Sequence, residues 1–216
     1  MVVERVYLIR QGETDWNTNG RWQGLLPVEL NGVGREQAQK LAAVLTGKSI
    51  EAIYTSDLSR AEETARIVGD RLGVTPVVDV RLRELDIGVF QGLTVPENTQ
   101  RYPQEYADFM AQPMTYVLPQ GESRRMLETR IMAAWNDFTG VPDRRRIAIV
   151  THGGVIKMFL SALQPDKAAY YQVFDIPNTS ITVVNLHNGA WQIGDLANVM
   201  HLGGKDSSDE DAGVYF

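Results

Sequence analysis

Four short stretches of this sequence set chemistry-bearing side chains beside glycines or helix starts. They are Arg10-Gln11-Gly12-Glu13-Thr14-Asp15-Trp16-Asn17, Ser56 to Arg60, Arg83-Glu84, and Thr151-His152-Gly153-Gly154. Between them they hold two central arginines, an acid and a histidine, groups able to close on an anion while glycines let the backbone approach it. Each also has a plainer reading. Arg10 by itself fits a surface or salt-bridged arginine, and Glu84 an ordinary solvated carboxylate in the charged run Arg81-Leu82-Arg83-Glu84. His152 fits a hydrogen-bonded core histidine. Two placements speak for the anion. Arg60 falls in the first turn of a helix, where the dipole favours acids over bases. His152 stands between an apolar strand and a Gly-Gly helix start, and helix N-termini attract anions. His187 and His201 have no such context, and Gln11 alone suggests nothing.

The elements that must position these groups follow from periodicity. Val2 to Ile9 reads as a buried strand running into the polar loop at Arg10, and Arg35 to Leu45 as a helix with Ala38, Leu41, Ala42 and Leu45 on one face. Ile50 to Thr55 is a strand, Ser56 to Ser59 supplies capping residues, and Arg60 to Leu72 is a helix closed by Gly73. Thr75 to Val80 is a further strand. The segment 88–121 is broken by Pro96, Pro103, Pro113 and Pro119 around one helix near Gln104 to Ala111, and reads as an inserted cap. Ser123 caps a helix carrying Met126, Leu127, Ile131, Ala134, Trp135 and Phe138. Arg146 to Thr151 is a buried strand, and a helix runs from about Val155 to Leu163. Ile181 to Leu186 and Trp191 to Leu196 flank Asn188-Gly189, a strong hairpin signal. Strands alternating with helices predict a three-layer α/β/α fold with a mostly parallel sheet, in which ligands bind beyond the carboxyl ends of the strands.

With 216 residues and 44% hydrophobic content, the chain suits one well-buried core. We expect residues 1–202 to form one catalytic domain, with 203–216, rich in Asp, Glu and Ser, as a flexible acidic tail. The net charge of −6 and the scattering of bases among acids argue against nucleic acid as a partner. Cysteine is absent and the three histidines are far apart, so no metal motif stands out. The first ten residues carry Glu4 and Arg5 inside a short apolar run, which fits neither a signal peptide nor a membrane span. A cytoplasmic location is the default expectation, with no membrane partner.

Taken together in order, these stretches bring in a family. Leu8 to Asn17 resembles the opening signature of the histidine phosphatase superfamily, the phosphoglycerate-mutase-like family, whose pattern is Arg-His-Gly-Glu-Thr followed by Asn. Gly24 with Leu30-Asn31-Gly32 and Gly34, Ser56-Asp57-Leu58-Ser59-Arg60-Ala61, Leu82-Arg83-Glu84, Gly121-Glu122-Ser123 and Val150 to Gly154 resemble its later segments, so the likeness spans roughly residues 4 to 195. The resemblance implies a phosphohistidine mechanism. Arg10 and Arg60 would grip the phosphoryl oxygens, His152 would help stabilise the transferring group, and Glu84 would protonate the leaving oxygen. Asn17, Gln23, Gly24 and Gly153 match positions lining the phosphate pocket. No metal or cofactor is implied. A planar guanidinium suits a phosphate dianion better than an ammonium does, and catalysis of phosphoryl transfer is largely positioning and charge stabilisation.

One position departs from the pattern: Gln11 stands where the family carries its phosphate-accepting histidine. An amide nitrogen is delocalised into its carbonyl and is not nucleophilic, whereas a neutral imidazole nitrogen offers a free lone pair. The chain is thus expected to bind a small phosphorylated substrate or inorganic phosphate while being inactive. The leading explanation is a deliberate substitution that traps substrate; a natural pseudoenzyme is the rival. For the underlying activity, a phosphatase of a sugar phosphate or phosphoglycerate derivative is favoured over a phosphoglycerate mutase, because the cofactor-dependent mutases carry a longer insertion than the Glu84–His152 interval here. A non-catalytic phospholigand-binding protein is the third reading. Homodimers are common in the family, and the residues leave that assembly open.

Overall fold

The computed structural model describes residues 2–164 and 175–203. Its six strands are β1 (Arg5–Arg10), β2 (Ala52–Thr55), β3 (Pro76–Val78), β4 (Arg146–Thr151), β5 (Ile181–His187) and β6 (Ala190–Asn198). They form one sheet in the order β3-β2-β4-β1-β5-β6. The four strands from β3 to β1 are mutually parallel, β5 runs antiparallel to β1, and β6 closes the hairpin through Asn188 and Gly189, both at positive φ. A mostly parallel sheet with an antiparallel edge results.

Alternation along the strands divides the core between two faces. Val6 and Leu8 of β1, Ile147 and Ile149 of β4, and Ala52 and Tyr54 of β2 pack with the apolar stripes of α6 (Arg124–Thr139) and α7 (Gly153–Leu163). Tyr7 and Ile9, Ala148 and Val150, and Ile53 point the other way, against α2 (Gly32–Leu45) and α3 (Ser59–Leu72). The period of two in the strands and of 3.6 in the helices therefore builds helix, sheet and helix layers. Ala38, Leu41, Ala42 and Leu45 lie buried as the helical pattern requires.

Several local expectations change. The second helix starts earlier than Arg35, at Gly32, because the Asn31 side chain accepts from the Gly34 amide at 2.8 Å. α3 begins at Ser59 with no side-chain cap; Ser56 Oγ instead accepts from the Leu58 amide. β3 is only three residues long, and Val80–Leu82 turns into a 3-10 helix, so Glu84 follows a helical turn rather than a strand. In the segment 88–121 there are two helices, α4 (Val95–Arg101) and α5 (Pro103–Ala111), not one. Thr94 and Glu97 form a capping box for α4, with Pro96 in its first turn, where the missing N–H costs nothing. Phe90, Tyr106 and Phe109 of this segment pack around Trp22, and Tyr102 packs on Phe90, so these aromatics serve packing. Met126 is half exposed despite its helical spacing, since the first turn of α6 overshoots the core. The expected acidic tail lies outside the described residues except for Gly203. Among the described residues no helix is long and apolar enough to cross a membrane.

Candidate active site

Strand register brings the first two candidate segments together. β1 and β4 are parallel neighbours with Arg10 opposite Thr151, so the next residues, Gln11 and His152, stand side by side at the carboxyl end of the sheet. β2 ends with Thr55 opposite Val150, which delivers Ser56 to the same place. Ser56 Oγ lies 3.0 Å from His152 Nε2. Burial holds the His152 imidazole well below its usual range, and Arg60, Arg10 and Arg130 push it the same way, so the ring is neutral at pH 7.

The Gln11 backbone is held on both sides. Its N–H donates to Thr151 O at 2.9 Å, while its carbonyl accepts from the Thr179 amide and from Asn178 Nδ2. Gly12 continues the loop by donating to Thr64 Oγ1. A Cβ on Gly12 would meet Gly34 O at 2.5 Å, so the loop can lie on the start of α2 only because that side chain is missing. The Gln11 side chain is 3% exposed, and its Oε1 has no partner in the protein.

Both candidate arginines are anchored by backbone carbonyls rather than carboxylates. Arg60, 1% exposed in the first turn of α3, donates to Gly24 O at 2.7 Å and Leu26 O at 3.0 Å. Burial lowers its pKa to about 10, with Glu84 opposing that shift and Arg10 adding to it. Arg10 donates to Ile176 O and lies against Gly153, where an added Cβ would sit 3.5 Å from the guanidinium Nε. Its pKa too is lowered, first by burial, against the pull of Asp175 and Glu84. Two guanidiniums, one buried and one half-buried, thus have no acid bonded to either, an arrangement that costs free energy unless an anion enters.

Glu84 is fixed through both carboxylate oxygens, Oε1 accepting from the Leu85 amide at 2.8 Å and Oε2 from the Gly154 amide at 3.0 Å. A Cβ on Gly154 would lie 2.5 Å from Glu84 Oε1, so glycine is required for the carboxylate to rest on the start of α7. Gly154→Ala is therefore expected to destabilise the fold by about 1–3 kcal/mol through overpacking, less about 1 kcal/mol of helix propensity. Urea unfolding of a Gly154→Ala, Glu84→Ala cycle checks this. Truncating Glu84 should recover the loss, and strictly additive effects would contradict the clash.

Of the remaining candidates, Gly24 contributes its carbonyl to Arg60, and Gln23 turns a buried Oε1 inward without a partner. Asn17 is used locally: its Oδ1 accepts from the Thr14 amide and from Asn178 Nδ2, completing a cap on the short α1 (Asp15–Thr18). Among the described residues, partnerless buried polar atoms fall heavily on the site: Arg10 Nε, Gln11 Oε1, Gln23 Oε1, Arg60 Nε and His152 Nδ1. Each such atom costs about 1–3 kcal/mol where nothing satisfies it. A surface groove of about 570 Å³ lined by Glu29, Glu62, Glu63, Arg35 and Arg66 shares none of these residues, and its carboxylates would repel an anion.

Comparison with known proteins settles the family. The model of the Histidine phosphatase superfamily (branch 1) matches residues 6–199. The chain belongs to this superfamily. Phosphoglycerate mutase-like protein 4 of Arabidopsis thaliana is 37% identical over 201 residues, covering 91% of this chain and 86% of the relative. Metal-independent phosphoserine phosphatase of the same plant is 35% identical, covering 93% and 84%. A mycobacterial glucosyl-3-phosphoglycerate phosphatase solved with VO3 superposes with a TM-score of 0.79 at 32% identity, covering 89% of this chain and 98% of that one. Relatives of this histidine phosphatase superfamily member thus carry the names of both phosphatases and mutases.

Sequence reasoning overlooked several residues that hold this cluster together. Arg130 of α6 donates to the carbonyls of Arg81, Arg83 and Glu84 and to Glu122, clamping the segment that bears the acid. Asn178 and Thr179 hold the Gln11 carbonyl, Thr179 at a φ of 57° that a β-branched residue seldom adopts. Arg130 lies in an amphipathic helix where any surface arginine would fit, and nothing in the local pattern marked Thr179.

Proposed function

We propose that this site is the phosphate pocket of a phosphomonoesterase for small phosphorylated metabolites, and that Gln11 leaves the present chain able to bind such ligands but not to turn them over. The observation that carries this reading is the pair Arg10 and Arg60, half-buried and buried, each with a buried, unpartnered Nε and no carboxylate bonded to it. In this reading they take the non-bridging oxygens of the phosphoryl group, with the Gly153 end of α7 behind them as a second source of positive potential. Neutral His152, bonded to Ser56, and Gln23 fill the remaining contacts, while Asn17 and Gly24 shape the rim. Glu84 serves as general acid. Several positive or hydrogen-bonding groups around one phosphate supply the charge stabilisation that a metal supplies elsewhere.

The relatives named as phosphatases of phosphoserine and of glucosyl-3-phosphoglycerate favour a small phosphorylated metabolite as ligand. We take residues 1–202 as one catalytic unit with 88–121 as its cap, acting in the cytoplasm. Calorimetry with inorganic phosphate tests the pocket directly. Arg60→Ala is expected to weaken phosphate binding by roughly 30- to 1,000-fold, the range for truncating one partner of a desolvated charge pair. Arg60→Lys should recover only part of it, because an ammonium cannot reproduce the fork. Phosphate binding indifferent to both arginines, or no binding at all, would overturn the assignment.

A further inference from the structure

One cation near the site has no task in the scheme above. α7 is apolar on the faces that enter the core, with Val155, Ile156, Met158, Phe159 and Leu160 all buried. Its remaining face begins with Gly153, against the Arg10 guanidinium, and Gly154, bonded to Glu84. Lys157 lies four and three residues further on, which puts it on that same face one turn below. Side chains on a helix lean towards its N-terminus, so the lysine stem reaches back over Gly153 and Gly154 towards the site.

The electrostatics agree with that placement. Lys157 is half-buried, and burial lowers its pKa, with Asp175 and Glu84 raising it and Arg10 and Arg124 lowering it. It has no hydrogen bond or ion pair among the described residues, whereas three arginines around the cap are bonded. Arg21 is bonded to Gly92 O and Glu97, Arg125 to Glu128, and Arg124 to Pro113 O while stacked 4.1 Å from the Phe109 centroid. A lysine ammonium held partly out of water without a partner is unfavourable on its own and favourable once an anion reaches it.

We propose that Lys157 reads a carboxylate carried on the same small molecule as the phosphate, so that the pocket prefers phosphorylated carboxylic acids to phosphorylated alcohols. This rests on the phosphate-pocket reading of Arg10 and Arg60. A carboxylate suits the position better than a second phosphate for two reasons. The ammonium is a single point charge, and the exposed Asp175, whose field reaches both Arg10 and Lys157, opposes a dianion more than a monoanion.

The test uses the chain as it stands, with calorimetric titration of inorganic phosphate, 3-phosphoglycerate and glycerol 3-phosphate; the last two differ by a carboxylate against a hydroxymethyl group. The parent protein is expected to prefer 3-phosphoglycerate. Lys157→Met, which keeps most of the aliphatic stem, should cut the affinity ratio of the acid over the alcohol by roughly tenfold, the effect of losing one partly screened charge contact. Lys157→Arg should keep the ratio. Equal losses for both ligands in Lys157→Met, a ratio that survives it, or no preference in the parent would overturn the proposal while phosphate binding stands. If even inorganic phosphate fails to bind the parent, the pocket reading fails and this inference with it.

Discussion

Gln11→His is expected to give a phosphatase whose turnover exceeds that of the present chain by roughly four to six orders of magnitude, the scale of losses seen when a nucleophile is deleted. The side chain at position 11 stands at the carboxyl end of β1 beside His152, near the buried Arg60 and the half-buried Arg10. An imidazole there presents a lone pair to phosphorus, which the glutamine amide cannot do. In the proposed reaction the ring nitrogen bonds to phosphorus as the ester P–O bond breaks, and the departing oxygen takes a proton from Glu84. Water then attacks the phosphohistidine, loses its proton to the Glu84 carboxylate, and releases phosphate and free imidazole. The intermediate has a P–N bond, so rapid quenching should trap labelled phosphate that is stable in base and lost in acid. Activity should also survive chelating agents. A Gln11→His protein that is inert across a broad panel of phosphomonoesters, or that works only with an added divalent ion, would remove the phosphohistidine assignment.

The second large effect concerns Glu84. In the Gln11→His background, Glu84→Gln should slow hydrolysis of an alkyl phosphate by roughly 10²- to 10⁴-fold, the usual contribution of a placed general acid. Phosphoenzyme formation from p-nitrophenyl phosphate should suffer far less, since nitrophenolate leaves without help. Geometry favours an unequal loss. The carboxylate is locked by the Leu85 and Gly154 amides, and Arg130 fixes the main chain that carries it. Replacement by the isosteric amide removes the transferable proton with little change in shape. Stopped-flow release of nitrophenolate isolates the first step, and equal losses for both leaving groups would take Glu84 out of the general-acid role.

What could be read in advance, and what could not, divides along the range of the interactions. Arg10, Gln11 and His152 drew attention because a continuous apolar run, the mark of a strand buried on both faces, ends in front of each segment, and an α/β sheet presents strand ends to its ligand. Arg60 stood out as a base in a helix turn that favours acids. Helix α4 was missed because Pro96 was read as a breaker, although Thr94 and Glu97 spell a capping box around it. Met126 shows the reverse error, a helical period continued one turn beyond the surface it covers. The supports of the site are least visible. Arg130 reaches carbonyls more than 40 residues away, and Asn178 meets Gln11 across the sheet; no local spacing encodes such pairings. Lys157 left one trace, a single charge within the apolar run from Val155 to Leu163. That trace gains meaning only when α7 is seen to rest on Arg10 and Glu84.

The bonds that hold position 11 all run through its main chain: Thr151 below, Thr179 and Asn178 above, and Thr64 through the neighbouring Gly12. None asks anything of the side chain. Glutamine and histidine codons share their first two bases and differ only at the third. The loop therefore works as a socket whose shape is set by its surroundings, and an interchange of these two residues would leave that shape alone. On the proposed reading, receptor and catalyst in this scaffold stand one nucleotide apart, without the chain having to relearn how to fold.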